Sequence, residues 1–219
     1  PHKASHGYTC LCTTAACDTI EPLEPVPPHT AVIYQTSKED GDEPGDRLRR
    51  FEQPFHATAG VLPARTITFD PATTYQTIRG FGNAFTDAAA INYHRAHNKS
   101  LFLEQYWGKD GLGFSVGRVP IASCDFSTSS WSYDDVNDDD NLEHFSTKHD
   151  TTYKIPLLKD AMAKAYDNAQ PMELFASPWA PPYWMTTKNS TIHNPTLQGG
   201  PTGVVAQIYA NYLVAFFQS

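Results

Sequence analysis

Strand-like and helical segments alternate from Tyr75 to the end of this chain of 219 residues. Strand-like segments occupy 76–82, which ends in glycines, 114–119 and 172–176. Helical patterns begin after 86–87 and recur over 100–108, 155–165 and 205–216. Such alternation predicts an α/β fold, in which right-handed helical crossovers connect the strands of a parallel sheet. A closed parallel barrel repeats this unit eight times over about 250 residues. We therefore predict a partial (β/α)8 TIM barrel of three βα units.

The chain before Tyr75 predicts two smaller accessory segments. Residues 1–22 are rich in cysteine and lack a helical period, which predicts a Cys-rich β segment. Residues 23–74 are rich in proline and polar side chains, with strand-like stretches at 31–34 and 66–69 separated by Asp-Gly and Pro-Gly turn signals. This segment predicts part of a β-sandwich domain, and 75–219 predicts the N-terminal part of the barrel.

Composition excludes two classes of protein. The chain has no run of 18 apolar residues, which argues against a membrane span. Its formal charge is −8 and its basic residues are scattered, which argues against a nucleic-acid partner. Protonation of its 9 histidines would cancel this negative charge, so we hypothesise that acidic pH removes the repulsion from an anionic membrane surface. No signal peptide is visible in the first residues, which indicates that it has been removed or that the N-terminus is incomplete.

Four cysteines and two sequons indicate passage through an oxidising compartment. Cys10, Cys12 and Cys17 crowd the N-terminus, whereas Cys124 lies far from them. Clustered cysteines in a short, loop-rich segment form disulfides or hold a metal, and the metal is disfavoured because no histidine follows at zinc-ligand spacing. The glycosylation sequons begin at Asn98 and Asn189.

An acid and an indole follow two successive predicted strands. Asp125 and Phe126 come after the strand that ends near Ala122, and Trp179 comes after the next strand. Carboxyl ends of barrel strands carry the chemistry of this fold. Prolines at 178, 181 and 182 stiffen the backbone around the indole, and Tyr183 and Trp184 add aromatic area. An acid beside an aromatic face suits a pyranose ring, although a turn-capping acid, a core aromatic and a lectin-like module fit the same pattern.

Other polar residues have simpler interpretations. Arg118, inside an apolar strand, either lines the barrel beside acidic groups or extends to its rim. Asp87 is interpreted as a helix cap rather than a catalyst. The aspartates at 134, 135 and 138–140 favour a solvated loop over a calcium site, because the glycine and terminal glutamate of an EF-hand are missing. Trp107 and Trp131 are interpreted as packing residues.

Several blocks of sequence resemble one enzyme family. Residues 79–90 (RGFGNAFTDAAA), 118–127 (RVPIASCDFS) and 176–179 (ASPW), together with the Cys-rich start, are similar to the lysosomal glucosylceramidases (acid β-glucosidases) of glycoside hydrolase family 30. The resemblance runs the length of the chain in the same order, which makes it more specific than a shared fold.

This resemblance implies an activity and a set of roles. It implies a (β/α)8 catalytic barrel with β-rich accessory domains, which hydrolyses the β-glucosidic bond of glucosylceramide with retention in the lysosome. Asp125 would bind glucose hydroxyls, Trp179 would contact the sugar, Phe126 would line the pocket and Arg118 would lie near the catalytic carboxylates. It also implies a Cys12–Cys17 disulfide, an upstream partner for Cys10 and a free Cys124.

The resemblance further implies a saposin-type activator protein and anionic lipid as partners at a membrane surface, and no metal or organic cofactor. The two catalytic carboxyls of the family are glutamates at the ends of strands 4 and 7, whereas this chain ends in the helix after its third strand. We therefore expect both glutamates to lie beyond residue 219 and these residues alone to be inactive and prone to aggregate. A non-catalytic glycolipid- or carbohydrate-binding protein is the alternative, and an Asn-Glu-Pro after the next strand would favour the enzyme.

Overall fold

The computed structural model describes residues 2–4, 7–9, 13, 24–38, 49–55, 70–191 and 195–219. The chain divides into two compact units, Pro1–Ile78 and Arg79–Ser219. Cys10, Cys12 and Cys17, and with them the predicted Cys12–Cys17 disulfide, lie outside the described residues, as does the predicted strand at 66–69. The division at residues 22 and 74 stays a prediction.

The first unit contains two antiparallel strand pairs. Strand β1 (His2–Ala4) pairs with β2 (Gly7–Thr9). Strand β3 (Thr30–Gln35) pairs along its whole length with β4 (Arg49–Pro54). Strand β3 contains the predicted strand at 31–34, so β structure in this part of the chain is confirmed.

The second unit is built on a three-stranded parallel sheet. Its strands are β5 (Gly82–Ala84), β6 (Val116–Ile121) and β7 (Glu173–Pro178), and they follow one another across the sheet in chain order. Both neighbouring pairs are parallel, as the alternating sequence pattern predicts. Because all three strands run in one direction, their carboxyl ends lie along one edge of the sheet.

The first of these strands is shorter than the sequence predicts. The prediction placed a strand over 76–82, but β5 begins at Gly82. Val116, the first residue of β6, pairs with Gly82, and the carbonyl of Phe81 accepts hydrogen bonds from the amides of Ser115 and Val116. Residues 76–80 have no strand partner among the described residues, so the apolar pattern there does not become a strand.

The described part of this unit also contains five helices and one short 3-10 turn. They are α1 (Asp87–Arg95), α2 (Lys99–Trp107), α3 (Lys148–Thr152), α4 (Lys154–Asp167), the turn Tyr183–Met185 and α5 (Val204–Gln218). The predicted helices at 100–108, 155–165 and 205–216 correspond to α2, α4 and α5. In the parts of the chain that the structure describes, no helix is long and apolar enough to cross a bilayer.

The start of α1 corrects one sequence interpretation. The side chain of Thr86, not that of Asp87, caps the helix by accepting a hydrogen bond from the amide of Ala89 at 3.2 Å. Asp87 is the first helical residue and is only 2% exposed. A buried carboxylate needs partners, and those partners belong to the site described below.

Helix α4 is separate from α3 because of a proline. Pro156 lies in the first turn of α4, where its missing N–H costs little. Its ring would clash with the carbonyl four residues earlier, at Thr152, if α3 continued without a break. The helix therefore ends at Thr152 and restarts at Lys154, and this break sets the direction in which Lys154 enters the interior.

Two main hydrophobic clusters hold the helices against the sheet. The larger one joins the sheet to α1, α2 and α4, with Phe85 stacked on Trp107 at 5.5 Å between ring centroids. A Cβ at Gly117 would lie 2.5 Å from Phe85, so β6 can approach this aromatic pair only with glycine at that position. A second cluster joins the end of β6 to α5 through Ile121, Tyr133 and Tyr212.

Candidate functional site

The predicted sugar-binding residues follow adjacent strands at the carboxyl edge of the sheet. Ile121, the last residue of β6, pairs with Pro178, the last residue of β7. Asp125 follows β6 by four residues, and Trp179 comes directly after β7. The structure therefore places both at the same edge of the sheet, where the sequence predicts them.

Asp125 and Phe126 occupy the two central positions of a tight turn. The amide of Ser127 donates to the carbonyl of Cys124 at 3.0 Å, and the amide of Cys124 donates to the hydroxyl of Ser127 at 2.9 Å. The turn points its central side chains outward, since Asp125 is exposed and Phe126 is 62% exposed. An exposed carboxylate beside an exposed ring offers hydrogen-bond acceptors and an apolar face to one ligand. We call the segment Cys124–Ser127 the Asp125 turn.

The backbone before this turn has an unusual conformation. Ala122 has a φ of 64°, in the left-handed region that non-glycine residues rarely adopt. The amide of Ser123 donates to the carbonyl of Trp131, and the amide of Trp131 donates back to the hydroxyl of Ser123. Since such a conformation costs free energy, it persists only where the surroundings fix it.

Trp179 lies beneath a cation. The guanidinium carbon of Arg118 is 4.6 Å from the centroid of the indole ring. Side chains alternate along a strand, and the preceding residue, Gly117, faces the helical layer, so Arg118 projects from the opposite face. Its Nε is buried and has no hydrogen-bond partner among the described residues. The sequence left its position open, and the structure places it against the indole at the carboxyl edge of the sheet.

Of the two aromatic residues that the sequence adds after Trp179, Trp184 is buried and Tyr183 is half-buried. Trp184 is 7% exposed and donates its indole N–H to the carbonyl of Asp134 at 3.0 Å. The hydroxyl of Tyr183 donates to the carbonyl of Asp135 at 3.2 Å. Both rings therefore connect the loop after β7 to the loop after β6. Because Trp184 is buried and its indole N–H is already bonded, it does not offer a surface to a ligand.

A buried polar cluster lies directly beneath the Asp125 turn. Lys154 is 1% exposed, and its ammonium lies 2.9 Å from a carboxylate oxygen of Asp150 and 3.6 Å from one of Asp87. The second oxygen of Asp87 accepts hydrogen bonds from the indole of Trp131 at 2.8 Å and from the hydroxyl of Ser127. We call Asp87, Asp150 and Lys154 the buried ion cluster.

A tyrosine with a perturbed pKa contacts the buried ion cluster. Tyr133 donates its hydroxyl to Asp150 at 2.5 Å. Burial is the main cause that raises the pKa of Tyr133, and the negative charge of Asp150 adds to it. Tyr133 therefore stays a neutral hydrogen-bond donor, which suits a structural role.

The sequence did not single out Lys154, Asp150 or Tyr133. One available signal was the position of Lys154 three residues before Leu157 and seven before Ala161, on the buried stripe of an amphipathic helix. A lysine at such a position requires buried partners. Trp131, interpreted from sequence as a packing residue, both packs and donates a hydrogen bond to Asp87, whereas Trp107 is simply buried.

The two aspartates of the buried ion cluster and the neighbouring His149 are potential metal ligands. Oxygen and nitrogen atoms of Asp87, His149 and Asp150 lie within 4.8 Å of one another. The ammonium of Lys154, however, contacts carboxylate oxygens of both aspartates. Because this positive charge already compensates them, a metal cation would meet repulsion there. The arrangement fits an ion cluster internal to the protein better than a metal site.

Two aspartates of the predicted solvated loop are in fact buried. Asp134 is 1% exposed and Asp139 is 9% exposed, which contradicts the sequence interpretation of the whole run. Asp139 accepts hydrogen bonds from the amides of Glu143 and His144, so the backbone satisfies a carboxylate that the composition assigned to water. Burial raises the pKa of Asp134 to about 6, with a further increase from the nearby Asp139.

The other residues predicted from the sequence are two sequon asparagines and three cysteines. Asn98 caps α2 by accepting a hydrogen bond from the amide of Leu101 at 2.9 Å, and Asn189 is exposed in the loop after the 3-10 turn. Cys124 is free and half-buried within the Asp125 turn, as predicted. Cys12 and Cys17 lie outside the described residues.

The fold and the edge of the sheet together define a class of protein. Three parallel strands in chain order with intervening helices are typical of parallel α/β barrels, whose active sites lie at the carboxyl ends of the strands, where this chain places an acid and an indole. Residues 78–219 match the family described as the glycosyl hydrolase family 30 TIM-barrel domain. The chain belongs to glycosyl hydrolase family 30, and its barrel is present in part.

Individual relatives agree with this assignment. The chain is 39% identical over 220 residues to putative glucosylceramidase 4 of Caenorhabditis elegans, covering 99% of this chain and 40% of that protein. It is 33% identical over 227 residues to the lysosomal acid glucosylceramidase of Mus musculus, covering 98% and 41%. The crystal structure of SrfJ from Salmonella typhimurium superposes with a TM-score of 0.60 at 29% identity, covering 78% of this chain and 38% of that one. The chain thus spans about two-fifths of the length of these relatives.

Proposed function

We propose that this sequence is the N-terminal portion of a retaining β-glucosidase that hydrolyses glucosylceramide to glucose and ceramide. The observation that carries the proposal is the position of the Asp125 turn and Trp179 at adjacent strand ends of a family 30 barrel. The similarity to proteins named glucosylceramidase extends over 98–99% of the chain, including the Cys-rich start, and supports this substrate class.

Each exposed residue of the site has a chemical role in the proposal. The carboxylate of Asp125 accepts hydrogen bonds from glucose hydroxyls, which are strong because the acceptor is charged. The indole of Trp179 and the ring of Phe126 contact the apolar C–H surface of the sugar. Arg118 holds the indole from its other face and brings a positive charge toward the site of reaction.

In the proposal, the two carboxyl groups that react are different residues from those that bind the sugar. Retaining glycosidases use two carboxyl groups about 5–5.5 Å apart, one as acid/base and one as nucleophile. Asp125 takes neither role in the proposal, because it lies in an exposed turn as a hydrogen-bond acceptor for the sugar and the resemblance assigns both roles to glutamates. We place both catalytic glutamates beyond residue 219, after later strands of the barrel.

The cellular setting follows from the same resemblance. We propose a lysosomal glycoprotein with a Cys12–Cys17 disulfide and glycans at Asn98 and Asn189. Its substrate would be presented in a membrane containing anionic lipid, with a saposin-type activator protein. The loss of net negative charge on histidine protonation would favour binding to such a membrane at acidic pH.

The direct test uses the full-length polypeptide that carries this sequence. We expect it to release glucose from glucosylceramide in anionic vesicles at acidic pH, and proton NMR should show β-glucose as the first product. Asp125→Asn and Trp179→Ala should each lower kcat/KM roughly 10- to 100-fold, the cost of lost charged hydrogen bonds or a stacking surface. Asp140→Asn, an exposed aspartate of the same loop, is the matched control and should retain activity.

The alternative is a non-catalytic glycolipid- or carbohydrate-binding protein. Vesicle binding that depends on Trp179, without glucose release, would favour it and contradict the enzyme. The sequence of the transcript beyond Ser219 gives a second check. An Asn-Glu-Pro after the next strand is expected for the enzyme, and its absence would count against it.

A further inference from the structure

We propose that Lys154 is a positioning residue that fixes the Asp125 turn from beneath. The proposal rests on the proposed function, because it concerns how the sugar-binding carboxylate is held. Lys154 enters from α4 and is 1% exposed, so we expect any effect on a sugar to pass through the groups that it contacts.

The first step is the contact between the ammonium and the end of β6. Lys154 Nζ donates to the carbonyl of Pro120 at 3.1 Å and lies 3.5 Å from the carbonyl of Ala122. These carbonyls lie on either side of Ile121, where the strand ends and the chain adopts the left-handed conformation of Ala122. One charged donor that bridges two carbonyls fixes the direction in which the chain leaves the strand.

Asp87 and Ser127 connect the buried ion cluster to the far side of the Asp125 turn. Asp87 faces Lys154 with one carboxylate oxygen and accepts from the Ser127 hydroxyl with the other. The same hydroxyl accepts a hydrogen bond from the amide of Cys124. The ammonium, Asp87 and Ser127 therefore form a continuous polar connection from the strand end to the residue after Phe126.

A backbone hydrogen bond also holds the Asp125 turn against α1. The amide of Ala88, in the first turn of that helix, donates to the carbonyl of Phe126 at 3.0 Å. Backbone groups on both sides of Asp125 are thus held by α1 and α4, while its side chain stays free in solvent. A short turn restrained in this way is preorganised, which reduces the entropy that a ligand must remove on binding.

The test measures affinity in the folded full-length polypeptide. Lys154→Met removes the charge and keeps the side-chain length. We expect it to weaken binding of deoxynojirimycin, a glucose-shaped iminosugar, about tenfold by isothermal titration calorimetry. The titration stoichiometry reports the folded fraction separately, so a loss of stability alone would lower the stoichiometry and leave the dissociation constant unchanged.

The matched control is Lys164→Met, the same substitution on the same helix. Lys164 pairs with Glu104, is partly exposed and makes no contact with the Asp125 turn. This variant should bind deoxynojirimycin with unchanged affinity. Equal weakening by both lysine variants would contradict the proposal, because it would show a general effect of disturbing α4.

A double-mutant cycle separates positioning from independent effects. If Lys154 acts through Asp125, Lys154→Met should weaken binding by less than about twofold once Asp125→Ala is present. Fold-changes that multiply would overturn the proposal. If Lys154→Met does not fold, Ser127→Ala takes the place of Lys154→Met in the same double-mutant cycle. Ser127→Ala removes the hydroxyl that joins Asp87 to Cys124.

The outcomes distinguish this proposal from the proposed function. Unchanged affinity in Asp125→Ala itself would contradict the assigned sugar site and the positioning role together. A large loss in Asp125→Ala with none in Lys154→Met or in Ser127→Ala would contradict only the positioning role.

Discussion

The guanidinium of Arg118 lies over the indole of Trp179, with its carbon 4.6 Å from the ring centroid. Arg118 belongs to β6 and Trp179 follows β7, so the contact joins two adjacent strands at the edge that carries the Asp125 turn. The indole remains partly exposed, and in the proposed function its other face contacts the sugar. We therefore expect the arginine to hold the ring in the orientation that this contact requires.

Removal of this cation should weaken sugar binding without unfolding the protein. A cation over an indole is worth about 0.5–2 kcal/mol, so Arg118→Met should raise the dissociation constant of deoxynojirimycin roughly 2- to 30-fold in the full-length polypeptide. Arg79→Met is the control, since Arg79 is exposed and pairs with Glu173 at the opposite end of the sheet. Equal affinity in wild type and Arg118→Met would contradict the orienting role of the arginine.

Local sequence pattern was sufficient to predict two of the three strands of the sheet and the positions of the proposed sugar-binding side chains at its edge. Strands β6 and β7 and helices α2, α4 and α5 follow from apolar periodicity, which is a property of neighbouring residues. Asp125 and Trp179 were predicted at one edge because parallel strands bring their carboxyl ends together. Neither inference requires knowledge of which distant residues meet.

The buried ion cluster could not be predicted in the same way. Asp87 is separated by more than sixty residues from Asp150 and Lys154, and only the packing of α1 against α4 brings them together. Asp134 and Asp139 were assigned to solvent because an acidic run is usually hydrated. The backbone amides that satisfy Asp139 come from a loop conformation that has no sequence period.

The hydroxyl of Tyr212 supports the loop after β6 and should be essential to stability. It accepts a hydrogen bond from the amide of Tyr133 at 3.0 Å, in a fully buried environment. Tyr212→Phe leaves this amide without a partner, which should lower the free energy of unfolding by about 1–3 kcal/mol. Chemical denaturation of the full-length polypeptide measures the loss.

Tyr209 provides the matched control for that substitution. It lies one turn earlier on α5, and its hydroxyl makes no hydrogen bond in the described parts of the chain. Tyr209→Phe should change the free energy of unfolding by less than about 0.5 kcal/mol. Equal losses in the two variants would contradict the role assigned to the Tyr212 hydroxyl.

Asn98 has two separable roles, as a helix cap and as a proposed glycosylation site. Its side-chain oxygen accepts from the amide of Leu101, so Asn98→Ala should cost about 1 kcal/mol of stability. Asn98→Asp removes the sequon but keeps a capping oxygen, so stability should fall less than in Asn98→Ala. Mass spectrometry before and after deglycosylation should show one glycan fewer in both variants.

The control for glycan loss is Asn189→Gln, which removes the second sequon at an exposed loop position. It should remove a glycan without the helix-capping cost. If Asn98→Ala and Asn98→Asp prove equally destabilised, the glycan rather than the cap stabilises this helix.

The carboxyl of Asp134 should make the protein more stable at acidic than at neutral pH. Burial, and to a smaller extent the nearby Asp139, raise its pKa to about 6 in the folded protein, whereas an unfolded aspartate titrates near 3.9. Between about pH 4 and pH 6 the folded state therefore binds a proton that the unfolded state has lost. This contribution to stability is fully present below about pH 4 and is lost as the pH rises through about 6.

Asp134→Asn should remove this dependence, because the amide stays neutral like the protonated acid. The thermal midpoint of the variant minus that of wild type should increase from pH 4.5 to pH 7. Over this range only the wild type acquires a buried charge beside Asp139. The midpoint difference of Asp140→Asn from wild type should stay constant, because Asp140 is exposed in the same loop and its carboxylate remains in water. A constant difference for Asp134→Asn over that range would contradict the raised pKa.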